Sequence, residues 1–452
     1  MANVEELLQA IRDERIDTVI VCFPDLYGRP VGKRITGPFF VDTVAAHGTE
    51  CCDYLLGSDI DLTPLPGYQF ANWERGYGDV AAQLDPQAVF FLPWHEKTAL
   101  VLCDLFTNSG EPVDVSPRAI LKKQLQRAAE RGLSFTCATE LEFYLFRETY
   151  EEANGRNYQG LTPNASHIED YQILQTSRDE FLLGRIRREM LAAGLPVESS
   201  KGEAGRGQHE VNLTYSDALT TADRHTVFKN GIKEIAAQEG RSVTFMAKWS
   251  MDEAGSSCHL HTGVVDVATG KSCFGDPAAA DGLSAIGRHF LAGQLAAAKE
   301  LTWMWAPTVN SYRRFVPDSW APTAIAWGED NRTCGFRLVG HGEGRRVENR
   351  VPGADANPYL ALAAAIAAGL YGIDHALELQ PAYNGNAYVA RDVERIPSTL
   401  IEALQNFEHS AIAREAFGDE VHHHLANTAR QEWLASNRVV TDWELRRNFE
   451  RI

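Results

Sequence analysis

The run C-A-T-E-L-E-F-Y-L-F at 137–146 constrains the fold of this chain more than any other feature. As a strand, its alternation puts Leu141, Phe143 and Leu145 on one face and Glu140, Glu142 and Tyr144 on the other. The chain must therefore build a sheet with one buried face and two carboxylates converging on the opposite face. A solvated sheet face produces the same alternation, so this pattern alone assigns no chemistry.

With 452 residues, 44% of them hydrophobic, the chain can bury one large core or two moderate ones without disulfide staples. Acidic side chains outnumber basic ones 61 to 43, and no basic run could track a phosphate backbone, which excludes nucleic acid as the expected partner. The opening M-A-N-V-E-E-L-L lacks the basic start and apolar stretch of a signal peptide. The longest apolar stretch, Tyr359 to Ile373, is Ala-rich, interrupted by Gly369 and Gly372, and shorter than the roughly 20 residues a membrane span needs. It is expected to be a buried helix, with no membrane partner. Eight cysteines without paired spacing, Cys51 and Cys52 adjacent among them, point to structural thiols in a reducing compartment, here the cytoplasm.

The spacing of Val4, Leu7, Leu8 and Ile11 predicts a helix, followed by a β-rich run at 17–23, a turn at 25–30 and a second extended run. The turn-forming stretch at 107–117 ends in Ser116, a suitable N-cap, and Pro117, suited to the first helical position. A boundary here divides an N-terminal unit, 1–112, from a larger one, 113–452. The second unit opens with a helix to about Arg131, stopped by Gly132, and a β-rich segment at 135–146.

Three further elements carry chemistry. In K-G-E-A-G-R-G-Q-H-E, a Gly-rich bend can bring Glu203 and Glu210 to one point, although a plain acidic loop reads the same way. In G-S-S-C-H-L-H, His259 and His261 lie two apart and point the same way on a strand. Zinc favours nitrogen and sulfur ligands, whereas the remaining donors here are carboxylates, which favours Mg²⁺ or Mn²⁺. Finally, Arg313, Arg314, Arg332, Arg337, Arg345, Arg346 and Arg350 crowd into about forty residues around Glu348. Any one of them could be an ordinary surface residue. Metal ions with arginines are what phosphoryl transfer needs to spread developing charge, so the four elements together point to metal-assisted phosphoryl transfer to a carboxylate.

These motifs, with N-S-Y-R-R-F-V-P from Asn310, D-N-R-T-C-G-F-R from Asp330, R-R-V-E-N-R-V-P-G-A-D-A-N-P-Y-L from Arg345 and R-I-P-S-T-L-I-E-A-L from Arg395, resemble the glutamine synthetase family over nearly the whole chain. The resemblance implies an α+β fold: an N-terminal β-grasp-like domain, then a larger catalytic domain with a curved antiparallel sheet. It also implies hexameric rings, stacked into a dodecamer, with active sites between neighbouring subunits. Two Mg²⁺ or Mn²⁺ ions per site would be held by Glu142, Glu203 and Glu210, and by Glu140, His259 and Glu348. Gly255, Arg314 and Arg350 would bind glutamate, His261 and Arg346 would face ATP, and Arg332 and Arg337 would act catalytically on the transferring phosphate. The implied reaction is ATP-dependent ligation through γ-glutamyl phosphate.

The chain departs from the family where ammonium would bind. A D-G-S-S loop is replaced by L-G-S-D, with Leu56 for the carboxylate and Asp59 displaced by three positions, and Trp320 stands where a flap glutamate would be. Losing two anions weakens attraction for a small cation, while leucine and indole favour a carbon-bearing amine. Leu56, Asp59 and Trp320 are therefore expected to form an amine pocket, and the product to be a γ-glutamyl amide of an organic primary amine. The alternatives are a glutamine synthetase using ammonia, or a non-catalytic assembly of the same fold. Ala254 stands for an Asn of the glutamate loop, and Gly263 for a Ser after the H-x-H pair. N-G-N-A-Y at 384–388 only partly resembles an adenylylated tyrosine loop, so no adenylylation is expected. His422 to His424 read as a solvated helix end rather than a metal tract.

Overall fold

A computed structural model describes residues 2–452. The first helix, Val4–Arg12, starts with a capping box between Asn3 and Glu6 and buries Leu7 and Ala10. It flanks a five-stranded sheet in the order Pro30–Thr36, Thr18–Pro24, Thr98–Phe106, Asp79–Phe91, Thr49–Cys52. The central pair, Thr18–Pro24 and Thr98–Phe106, is parallel and the other pairs are antiparallel. Between the first two strands the chain reverses at Gly28, φ +76°, where Asp25 Oδ1 accepts from the backbone N–H groups of Tyr27 and Arg29.

Ser116 caps the helix Pro117–Ala129, accepting from Ala119 N, and the next strand, Leu133–Phe146, begins two residues before the expected Phe135. It is central to a nine-stranded sheet in the order Trp327–Glu329, Phe336–Val339, Arg346–Asn349, Cys258–Asp266, Leu133–Phe146, Gln208–Leu213, Val197–Gly202. Two short strands, Ser242–Thr244 and Ser216–Asp217, also pair with Leu133–Phe146. The expectation of an antiparallel sheet needs one correction, because Trp327–Glu329 and Phe336–Val339 run parallel at the edge. That pairing depends on the path of the intervening loop, which no local alternation records.

The Ala-rich helix Pro358–Asp374 is buried, as its composition requires, and packs on Ala285–Trp305. A Cβ at Gly372 would lie 2.0 Å from His289 O, so glycine permits this approach. No helix among the described residues is long and apolar enough to cross a membrane. All eight cysteines are free, and burial pushes the Cys258 thiol up to about 12. The three histidines correct another expectation. They lie within the helix Asp419–Ser436, and His422 and His424 face inward with Val421 and Leu425. Their Nε2 atoms meet Phe407 O and Leu56 O, each at 2.8 Å.

Arg118, 1% exposed, ties the first sheet to a helix of the second unit. It donates to Asp85 at 2.7 Å and Asp104 at 2.6 Å in the first sheet, and through Nε and Nη2 to Asp223 at 3.0 and 2.8 Å in the helix Ala218–Gln238. The Tyr359 hydroxyl also donates to Asp223, at 2.6 Å. A buried guanidinium among three carboxylates is compensated only while all partners remain. Arg118→Met strands the buried Asp223 carboxylate and is expected to destabilise the protein by about 3–5 kcal/mol. Chemical denaturation checks this; a loss below about 1 kcal/mol, the range of ordinary surface substitutions, would contradict it.

Candidate active site

Backbone register assembles the site. Across Leu133–Phe146, Glu140 pairs with His259 on one side, and Glu142 with Glu210 on the other. One strand further out, Lys201 pairs with Glu210, while Glu348 lies opposite both His261 and Arg337. Directly opposed residues share a face, so the alternation of the central strand gathers both carboxylates with partners from five other strands.

The first cluster comprises Glu142, Glu203 and Glu210, with one oxygen of each within 4.8 Å of the others. Glu142 Oε2 accepts from Ser257 N at 2.9 Å and Gln208 Nε2 at 3.1 Å. Lys201 pairs with Glu203, and Asn212 Nδ2 donates to Glu210 at 2.9 Å. Burial, then repulsion from Glu203, raises the Glu142 carboxyl above its ordinary range; burial, then Glu142 and Glu140, does the same to Glu210. Three crowded carboxylates with one lysine lack counter-charge, and hard oxygen donors of this kind suit a divalent cation such as Mg²⁺ or Mn²⁺.

The second cluster joins Glu140, His259, His261 and Glu348. His259 Nδ1 lies 3.2 Å from Glu140 Oε2 and 3.4 Å from Glu348 Oε1, and His261 Nε2 lies 2.8 Å from Glu140 Oε1. Because His261 Nδ1 accepts from Arg346 Nε at 3.1 Å, its proton sits on Nε2 and points at Glu140. Desolvation, then Arg350, pushes His259 down to about 4, so it is neutral, with Nδ1 turned toward Glu140 and Glu348. Burial opposes ionisation of Glu348, but His259 and Arg350 outweigh it and hold the carboxyl near about 2. Glu140, although desolvated, is held well below the usual carboxylate range by hydrogen bonds from His259 and His261.

Both clusters open into a cavity of about 590 Å³. Gly255, Arg314, Arg332, Arg337, Arg350 and Trp320 also line it. Arg314 is 2% exposed and donates to Val351 O and Arg350 O at 2.9 and 2.8 Å. A Cβ at Gly255 would lie 2.6 Å from Arg314 Cγ, so the glycine makes room for this arginine. Ala254, where an Asn was noted as usual, presents its carbonyl to the Tyr144 hydroxyl at 2.8 Å. Arg337 Nη1 donates to Glu348 at 2.7 Å and its other nitrogens to Asp330, whereas Arg332 is exposed and makes no hydrogen bond or ion pair among the described residues. Trp320, 62% exposed, sits on the cavity wall with φ +65° beside Asp318 at φ +60°. Two non-glycine residues in the left-handed region mark a loop held against its backbone preference.

The structure does not bring every expected residue here. His261 and Arg346 stand behind Glu140 and outside the cavity lining. Leu56 is wholly buried in its own chain's core, with its carbonyl accepting from His424, so its side chain offers no surface to an amine. Asp59 caps a local turn, its Oδ1 accepting from Asp61 N and Thr63 N at 3.0 and 2.8 Å. Of the expected Leu56, Asp59 and Trp320, only Trp320 lines this chain's own cavity, and tertiary packing turns the leucine side chain inward. Ser257, Gln208 and Lys201 are additions. Ser257 and Gln208 each lie two residues before an expected ligand, His259 and Glu210, so alternation alone could have found them. Lys201 required the register. Asp170 and Tyr171, also on the lining, lie in an irregular segment without a sequence signal. If the first cluster holds a cation, Glu142→Ala is expected to weaken Mn²⁺ binding at least about tenfold, since a ligand charge is lost. Calorimetric titration giving unchanged affinity and stoichiometry would contradict that.

Residues 114–448 match the family described as glutamine synthetase, catalytic domain. The chain is 52% identical over 450 residues to the gamma-glutamylethanolamide synthetase GlnA4 of Streptomyces coelicolor, covering 100% of this chain and 96% of the relative. It is 38% identical over 454 residues to a glutamate–isopropylamine ligase of a Pseudomonas species, covering 99% of each. Among solved structures, a GmaS complex with ADP superposes with a TM-score of 0.86 at 28% identity, over 98% of this chain and 99% of that one.

Proposed function

The chain belongs to the glutamine synthetase family, and from that membership we propose that it is a cytoplasmic ligase that uses ATP to join the γ-carboxylate of glutamate to an organic primary amine. The observation that carries the proposal is the convergence of two carboxylate-rich clusters, buried arginines and an exposed indole on one cavity. Relatives named for ethanolamine and isopropylamine products support the choice of an organic amine over ammonia.

Glu142, Glu203 and Glu210 would hold one divalent cation, and Glu140, His259 and Glu348 a second, although it is His261 whose ring nitrogen lies within 4.8 Å of oxygens of both Glu140 and Glu348 while these are as close to each other; Mg²⁺ and Mn²⁺ both fit the donors. Such cations supply positive charge to the phosphate oxygens. His259 would ligate through Nδ1, which faces both Glu140 and Glu348, whereas Nδ1 of His261 is occupied by Arg346. His261 and Arg346 brace the nucleotide side from behind. Arg314 and Arg350 bind the glutamate, with Gly255 opening the space beside Arg314. Arg337, fixed by Glu348 and Asp330, and the unpaired Arg332 steady the terminal phosphate of ATP as the γ-carboxylate attacks it in line. The amine then displaces phosphate from the γ-glutamyl phosphate.

Trp320 supplies apolar contact to the carbon atoms of the amine and no carboxylate for an ammonium ion. In a ring assembly, the loop after Leu56 would meet a neighbouring subunit through Ile60 and Leu62, exposed by 57% and 39%, rather than through Leu56. We propose hexameric rings, paired as a dodecamer, and a two-domain division near residue 112, where the turn-rich stretch separates the two sheets.

The test is phosphate release from ATP with glutamate, Mg²⁺ and a panel of ethanolamine, isopropylamine and ammonia. An organic amine is expected to give the highest kcat/KM; no release with any amine would refute the ligase, and a wide preference for ammonia would refute the amine assignment. In the same assay Trp320→Glu is expected to shift the ratio toward ammonia by about 1–3 kcal/mol, roughly tenfold to hundredfold. An unchanged ratio would remove Trp320 from the amine pocket.

A further inference from the structure

A third group of metal-ligating side chains, Glu169, Asp179 and His209, lies outside the cavity lining, with ligand atoms within 4.8 Å of one another. His209 neighbours Glu210 on the strand Gln208–Leu213, and alternation directs it to the opposite face. Asp179 is the residue before the helix Glu180–Ala192, and its side chain makes no capping bond. Glu169 lies in an irregular segment pinned at Ile168 to Arg206 and at Asp170 to Gly202.

All three are buried, at 1%, 1% and 0% exposure in chain order. His209 Nε2 lies 2.9 Å from Asp179 Oδ2 and 3.4 Å from Glu169 Oε2. Donors bound at about 2.0–2.1 Å to one ion, at tetrahedral or octahedral angles, lie about 2.9–3.4 Å apart, so these separations fit ligands around a common centre. Neither oxygen of Glu169 has a hydrogen-bond partner, nor does His209 Nδ1. A buried carboxylate with both oxygens unpartnered is costly, and a bound ion explains it. Asp179 is better provided for, since its Oδ1 accepts from Asn164 Nδ2. His209 Nε2, the ring atom that faces both carboxylates, bonds Asp179 in the absence of an ion, and is the atom that would ligate one.

We propose that Glu169, Asp179 and His209 form a buried three-ligand site for a divalent transition ion, separate from the cations of the active cavity. One imidazole nitrogen with two carboxylates is also the donor set of the second cavity cluster and suits Mn²⁺ as well as Zn²⁺, and the ion's charge would balance the two buried anions. Its role is to anchor the segment carrying Asp170 and Tyr171, which line the active cavity, to the strand carrying Glu210. Nothing in this site depends on which amine the enzyme uses.

The probe is Zn²⁺ itself. Full-length protein exchanged into excess Mg²⁺ is titrated with Zn²⁺, washed, and assayed for metal by mass spectrometry, and crystals are measured at the zinc absorption edge. About one Zn²⁺ per chain is expected, with an anomalous peak between the three side chains. Glu169→Gln, which keeps shape but removes the charge, is expected to lose that equivalent while retaining Mn²⁺ binding at the cavity. A zinc peak confined to the cavity carboxylates, or no peak among Glu169, Asp179 and His209, overturns the proposal. So does unchanged zinc stoichiometry in Glu169→Gln. Should that variant not fold, the anomalous map of the parent protein decides alone.

Discussion

Mutual repulsion among carboxylates is the constraint around which the molecule is arranged. Register at the central strand places Glu142 opposite Glu210, and the neighbouring bend adds Glu203, within one partly desolvated wall. Burial and proximity raise the carboxyls of Glu142 and Glu210, so this wall carries full charge only with positive charge beside it. Lys201 offers part of it to Glu203 and Glu210. The rest is what divalent cations bring, and a site that needs cations to ionise is also one that can present them to phosphate oxygens. At the second cluster protein charge contributes: His259 and Arg350 hold Glu348 ionised against its burial, Arg337 also donates to it, and desolvation with Arg350 pushes the His259 imidazole down.

Such a wall needs rigid support, because misplacement by an ångström would separate the reacting atoms. Support comes from strands rather than loops for most of the ligands, and from buried contacts beneath them. The guanidinium of Arg118 links the first sheet to the helix Ala218–Gln238, and Asn357 Nδ2 bonds Asp25 O and Leu26 O, each at 3.1 Å, where the first turn meets the long buried helix. The parts exposed to the cavity are the adaptable ones: the Trp320 loop and the segment around Asp170 and Tyr171.

What the sequence disclosed and what it withheld divide along the same line. The alternation at 137–146, the H-x-H pair and the Gly-rich bend are local patterns, and strand geometry converts each directly into a side-chain direction; these residues meet in the structure as expected. The capped helix starts at Asn3 and Ser116 were legible for the same reason. The position of Leu56 was not. A leucine in a short 3-10 turn between Asp53 and Gly57 can face either way, and its burial comes with a bond from His424, far along the chain, to its carbonyl. The histidine tract was misread because its acidic neighbours suggested solvent, whereas Val421, Leu425 and Ala429 turn His422 and His424 inward. The parallel edge pair likewise depends on a loop path that has no period.

The central claim is that this cavity passes a phosphoryl group to the γ-carboxylate of glutamate before the amine enters. Glutamate labelled with ¹⁸O in its γ-carboxylate, turned over with ATP, Mg²⁺ and the preferred amine, tests it directly. Mass spectrometry of the released phosphate is expected to find one labelled oxygen transferred per turnover of fully labelled glutamate, because the acyl phosphate leaves with the carboxylate oxygen that formed it. Phosphate released during amide formation without that label would contradict the account.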